Sequence, residues 1–137
     1  MTTYEILFAA GGAVALPVFL YLALAGSPRD RFALVALTFA GFAGFTVLTV
    51  AREGALGFVP NHTSDLWGVQ VWYDLVIAVA LAVLFMVPRA RAAGMRVPLW
   101  VLACATTGCV GVLAMAARLF WLESRNAAHA GGAPAPA

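Results

Sequence analysis

The chain has 137 residues, 64% hydrophobic and 10% charged, with a mean hydropathy of +0.94, against about a quarter charged in a soluble domain. This excludes a water-soluble globular protein, and the absence of a second block of different composition points to one unit embedded in membrane lipid. The net charge of +2 comes with eight arginines spread over the links between apolar runs, a pattern that excludes nucleic acid as a partner.

Four apolar runs follow one another, each near the ~20 residues that cross a bilayer core as a helix. The first is Ile6 to Ala25. Ala23 and Ala25 resemble the small-residue pattern of a signal-peptide cleavage site, but the leader "MTTYE" holds Glu5 and no positive residue, so the run is expected to stay in place as a helix over about 5–25. Gly26 closes it, and Ser27, Pro28 and Asp30 supply the N-cap, first-turn proline and capping-box acid of a second helix, about 28–51.

Ser64 or Thr63, followed by Asp65, caps a third helix over about 65–87, which Pro88 stops. Pro98 suits the first turn of a fourth, about 98–122. Residues 126–137, "NAAHAGGAPAPA", are too small and Pro/Gly-rich to bury a core and are expected to be disordered, with His129 incidental. The predicted fold is therefore all-α, an integral membrane bundle of four transmembrane helices in residues 1–125.

Cys104 and Cys109 are five apart and point about 140° from each other on a helix, so they read as small apolar residues. No metal-ligand spacing, phosphate loop or nucleophile elbow is present, and no cofactor or metal is expected. Arg29, Arg31, Arg89, Arg91 and Arg96 fall in the first and third links, against Arg52, Arg118 and Arg125 on the other face of a four-span bundle. Five against three puts those links in the cytoplasm, with both termini outside.

Asp74 stands within the third run, seven residues beyond Trp67 and so about 10 Å along the axis. A charged Asp near the bilayer centre costs roughly 2.5 to 3.5 kcal/mol, whereas an interhelical hydrogen bond returns about 0.6. The residue therefore requires several donors, a wet cavity or a proton of its own. Gln70, Asp74, Ala78 and Ala82 recur every four residues, opposite Trp72, Val76, Val79, Val83 and Met86. With the large face given to lipid, Asp74 is expected to look into the bundle, at the level of Gly108 and Gly111.

Such an acid serves either structural specificity or function, as a proton donor or polar anchor. Candidate ligand-binding residues are Gln70, Trp67, Tyr73, Ala78, Gly108, Gly111, Arg118 and Glu53. The second link, "REGALGFVPNHTSDLW", together with Glu5 and Arg118, is a candidate mouth above Asp74, although each member also reads as an interfacial charge or a cap.

From about Asn61 to Arg125 the run "QVWYDLVIAVAL", the basic turn "RARAAGM" and the final span ending in "FWLESR" resemble an uncharacterised family of small bacterial polytopic membrane proteins. That resemblance implies a bacterial inner-membrane location and no particular activity. A remoter likeness, carried by Asp74 in "WYD", is to integral-membrane terpene cyclases, which implies Asp74 as general acid and Glu53 as a second acid.

Three expectations stand side by side. One is a protein holding an apolar lipid or isoprenoid-like ligand, or a partner helix, at Asp74. The second is a proton-initiated cyclase or isomerase, and the third is a structural subunit of a membrane complex. A homo-oligomer is compatible with each.

Overall fold

The computed structural model describes residues 2–25 and 31–131. The caps expected at residues 26–30 and the tail beyond Gly131 lie outside them. Among the described residues the fold is all-helical, with α1 (Thr3–Ala25), α2 (Arg31–Glu53), α3 (Phe58–Thr63), α4 (Leu66–Ala92), α5 (Val97–Thr107) and α6 (Cys109–Gly131). The chain divides into two compact units, Met1–Arg31 and Phe32–Ala137.

Three helices, α1, α2 and α4, are long and apolar enough to cross a membrane. A capping box opens α1: the Thr2 amide donates to Glu5 Oε2 at 2.8 Å, and the Glu5 amide donates to Thr2 Oγ1 at 3.2 Å. Glu5 thus has a local task at the helix start. In α2 the hydroxyls of Thr38, Thr46 and Thr49 each donate to the carbonyl four residues back, at 2.8 to 2.9 Å. Such back-bonding satisfies a hydroxyl where lipid offers no partner.

The link between α2 and α4 folds into α3, which lies against the first turns of α4. Phe58 stacks on Trp72 with ring centroids 5.8 Å apart, and His62 meets the same indole edge-on at 5.9 Å. Asp65 caps α4 by accepting from the Gly68 amide at 2.7 Å. Glycine is required at residue 68 because a methyl built there would lie 2.5 Å from the Asn61 carbonyl oxygen. Gly68→Ala is accordingly expected to lift α3 from α4 at a cost of about 1 to 3 kcal/mol. Emission from Trp72, in a chain whose other three tryptophans are phenylalanine, should shift to the red; unchanged emission would show that α3 does not need the close approach.

α4 does not stop at Pro88 but continues through it to Ala92. Its end is a Schellman motif, in which the Met95 amide donates to the Ala90 carbonyl and the Gly94 amide to that of Arg91, at 2.9 and 3.0 Å. Gly94 takes the required positive φ of 74°, and Met95 and Ala90 are both buried beside the motif. Proline forfeits one ladder bond, to the Leu84 carbonyl, and the well-formed cap beyond it carries the helix on.

The largest departure is in the expected fourth span. It is two helices, α5 and α6, reversing at Gly108, whose φ of 58° and ψ of −129° suit glycine alone. A methyl built on Gly111 would lie 2.6 Å from the Ala103 carbonyl oxygen, and Cys104 Sγ sits 4.0 Å from Met115 Sδ. In a straight helix residues 104 and 115 would be about 16 Å apart, so α5 and α6 form a folded hairpin. At 11 residues, α5 is about 16 Å long, half of a ~30 Å hydrocarbon core.

The hairpin packs on α4, with Met115, Leu119, Cys104 and Ala90 almost fully buried among Val79, Val83 and Met86. At the far end Glu123 of α6 accepts two hydrogen bonds from Arg89 of α4, at 2.6 and 2.9 Å. α6 itself runs past Arg125 to Gly131, where three alanines favour helix. Among the described residues α2 makes no helix contact with α3 to α6.

Candidate functional site

Asp74 is the ninth of the 27 residues of α4, on a face that turns away from the hairpin. The expected orientation fails at most of its positions: Val79, Val83 and Met86, assigned to lipid, pack against the core, while Gln70, Asp74 and Ala78 are exposed; Trp72 and Val76 are exposed as expected, and Ala82 is half-buried. The reason is volume. Close backbone approach occurs between α5 and α6 at Gly111, and the hairpin so formed receives the bulky side of α4 rather than its small side.

At Gly108 the packing lies at the expected level along the axis. Leu75 Cδ1 is 4.0 Å from where a side chain on Gly108 would begin. The neighbour of Asp74, and not Asp74 itself, therefore meets the hairpin turn.

On its open face Asp74 Oδ2 accepts a hydrogen bond of 3.1 Å from Gln70 Nε2, one turn earlier. Trp67 and Ala78 share this side of the helix. Tyr73 is exposed off the stripe, and Gly108 and Gly111 serve the hairpin. The spacing extends further than a four-residue stripe: Trp67, Gln70, Asp74, Ile77, Leu81 and Leu84 alternate steps of three and four. Trp67 is 79% exposed, Ile77 55%, Leu81 48% and Leu84 63%. Alternating steps of three and four give the 3.5-residue repeat with which one helix packs along another.

The candidate mouth does not assemble around Asp74. Asn61 and His62 lie in α3, Asp65 caps α4, and Glu53 ends α2, which touches no helix of the α3–α6 group. Arg118 lies on the returning arm of the hairpin, ten residues past Gly108 and so about 15 Å towards the Arg89 end. There its guanidinium carbon lies 4.4 Å from the centre of the Trp121 ring, and that of Arg125 lies 4.8 Å from the same ring. Arg118 thus belongs to an arginine–tryptophan group within α6, whose members three and four residues apart are neighbours on a helix.

Among the described residues no group of three or more histidines, cysteines or carboxylates is placed to hold a metal ion. No family model matches the chain, and no curated protein or solved structure matches it.

Proposed function

We propose that this is a multi-pass membrane protein whose α4 seam holds a partner helix, and that the partner is a second copy of the same chain. The carrying observation is the exposed 3.5-residue repeat from Trp67 to Leu84 with Gln70 and Asp74 inside it. A lipid-facing Asp at this depth is unfavourable by roughly 2.5 to 3.5 kcal/mol. A second copy presents both an amide donor and a carboxylate acceptor, so the seam is self-complementary across a two-fold axis. A general acid for cyclisation would need walls around Asp74, whereas the seam reading uses its exposure directly.

The test is cysteine cross-linking in bilayers, with Cys104 replaced by alanine and Cys109 by serine. Leu81→Cys is expected to form a disulfide-linked dimer, and Val79→Cys, on the packed face, is not. Adding Asp74→Leu should weaken association by about 0.6 to 1.7 kcal/mol for each interhelical hydrogen bond removed. Cross-linking of Leu81→Cys no better than that of Val79→Cys would exclude the seam.

For topology we propose three crossings, by α1, α2 and α4, in a bacterial inner membrane, with the α5–α6 hairpin entering and leaving on one side. Because Glu123 bonds Arg89, the hairpin returns Arg118 and Arg125 to the side of Arg89, Arg91 and Arg96. Alternation along the chain puts Arg29 and Arg31 there as well. Seven of eight arginines then share a face, with Arg52 opposite, a sharper asymmetry than the four-span reading produced. The positive-inside rule makes that face cytoplasmic. The Thr3 end of α1 stays outside, and the end of α6 moves to the cytoplasm.

A further inference from the structure

The arginine end of the α4–α6 unit carries more positive charge than its own residues neutralise. Glu123 is engaged by Arg89 through both carboxylate oxygens, and Arg89 also lies over the Phe120 ring, 5.3 Å from its centre. Arg91, Arg96, Arg118 and Arg125 are exposed, and among the described residues no carboxylate pairs with any of them. Along α6 the buried residues are Gly111, Met115 and Leu119, and Arg118 and Arg125 lie exposed at the edge of that face.

These two arginines are seven residues apart, about 10 Å along the axis, yet both guanidinium groups converge on Trp121. Stacking on an indole uses the flat face of a guanidinium and leaves its edge N–H donors free. Tryptophan beside arginine at a helix end is the chemistry of a membrane interface, where the ring sits at headgroup level and the long cationic stems reach towards water. Phosphate diesters match the free edges, since arginine donates to phosphate oxygens in pairs.

We infer that this end of the molecule is a docking surface for anionic phospholipid headgroups, with Arg118, Trp121 and Arg125 gripping the phosphate and Arg91 and Arg96 adding attraction from the neighbouring turn. The inference rests on the proposed topology only for which leaflet is met. Lipid preference and leaflet are read by different experiments, so either fails without the other.

The test is native mass spectrometry of the full chain in mild detergent with equal amounts of phosphatidylglycerol and phosphatidylcholine. Phosphatidylglycerol should be retained in clear excess. Arg118→Gln with Arg125→Gln should reduce that excess by about fivefold for each arginine lost, the effect of one basic group at an anionic surface. Arg52→Gln should leave it unchanged. Arg118→Lys with Arg125→Lys guards against misfolding, because charge and stem remain and most of the preference should survive. Equal retention of the two lipids by the unaltered chain would overturn the docking surface. An undiminished preference in the double glutamine variant, or a loss in the lysine variant as large as in the glutamine one, would overturn the role given to these two charges.

Discussion

Gly111→Ala is expected to pry the α5–α6 hairpin apart, and Gly111→Leu to prevent its closure. The methyl group would lie 2.6 Å from the Ala103 carbonyl oxygen and 2.7 Å from Cys104 Cα. Both are backbone atoms of α5, so no side-chain rotation relieves the clash and the helix itself must move. Overpacking of this kind costs about 1 to 3 kcal/mol. Cys104 reports the opening, because it is 1% exposed under α6 and becomes reachable when the hairpin parts. With Cys109 replaced by serine, maleimide labelling of Cys104 in mild detergent should accelerate by roughly five- to hundredfold in Gly111→Ala, following the conversion of free energy into an opening equilibrium. Gly108→Ala should act in the same direction through backbone strain of about 1 to 3 kcal/mol, since its positive φ with ψ of −129° has no low-energy counterpart for alanine. Gly41→Ala, which meets nothing within 4 Å, is the control and should label at the original rate. Labelling of Gly111→Ala at that same rate would mean that the two helices do not approach as closely as the glycine allows.

These two glycines also show where the sequence stops being readable. The helices α1, α2 and α4 were legible because bilayer thickness imposes a length and because polar or cyclic residues mark helix ends. Run length carries no such information between Pro98 and Leu122. One long helix and two folded ones are equally compatible with a run of this composition, which only "TTG" and Arg118 interrupt. Its two threonines donate back to the Leu102 and Ala103 carbonyls, a polar solution equally available within a continuous span. What decides the reversal is the conformation of Gly108 and the contact at Gly111, and a glycine in an apolar run gives neither away.

The face of α4 was misread for a related reason. Assigning small residues to the interior assumes that helices meet at small residues on both sides, whereas here the intimate contact is made within the hairpin and Val79, Val83 and Met86 fill the space beside it. The Gln70–Asp74 pair, by contrast, was legible as neighbours one turn apart, and its hydrogen bond follows from that spacing. Two helix ends are legible in the same way. Thr2 and Glu5 have the capping-box spacing, and Gly94 before Met95 is the glycine–apolar pair of a Schellman end.

Three crossings and four crossings differ in an all-or-none way at the end of α6, and this is the second large effect expected. In a chain lacking its native thiols, single cysteines at exposed positions can be probed with a maleimide that does not cross membranes. Leu56→Cys marks the link after α2, Arg91→Cys marks the end of α4, and Asn126→Cys lies just beyond Arg125 on α6. In sealed vesicles of one orientation, Arg91→Cys and Asn126→Cys should label together and Leu56→Cys separately, because the bidentate contact between Arg89 and Glu123 ties the ends of α4 and α6 to one face. The physical argument is strongest at that contact. Separating the pair across a bilayer would leave Arg89 without its carboxylate and would move Arg118 and Arg125 away from Arg91 and Arg96, against the charge asymmetry that orients membrane helices. If Asn126→Cys instead labels with Leu56→Cys, α5 and α6 straighten into one span in the bilayer, the Arg89–Glu123 contact is absent there, and Gly108 acts as a hinge rather than a turn.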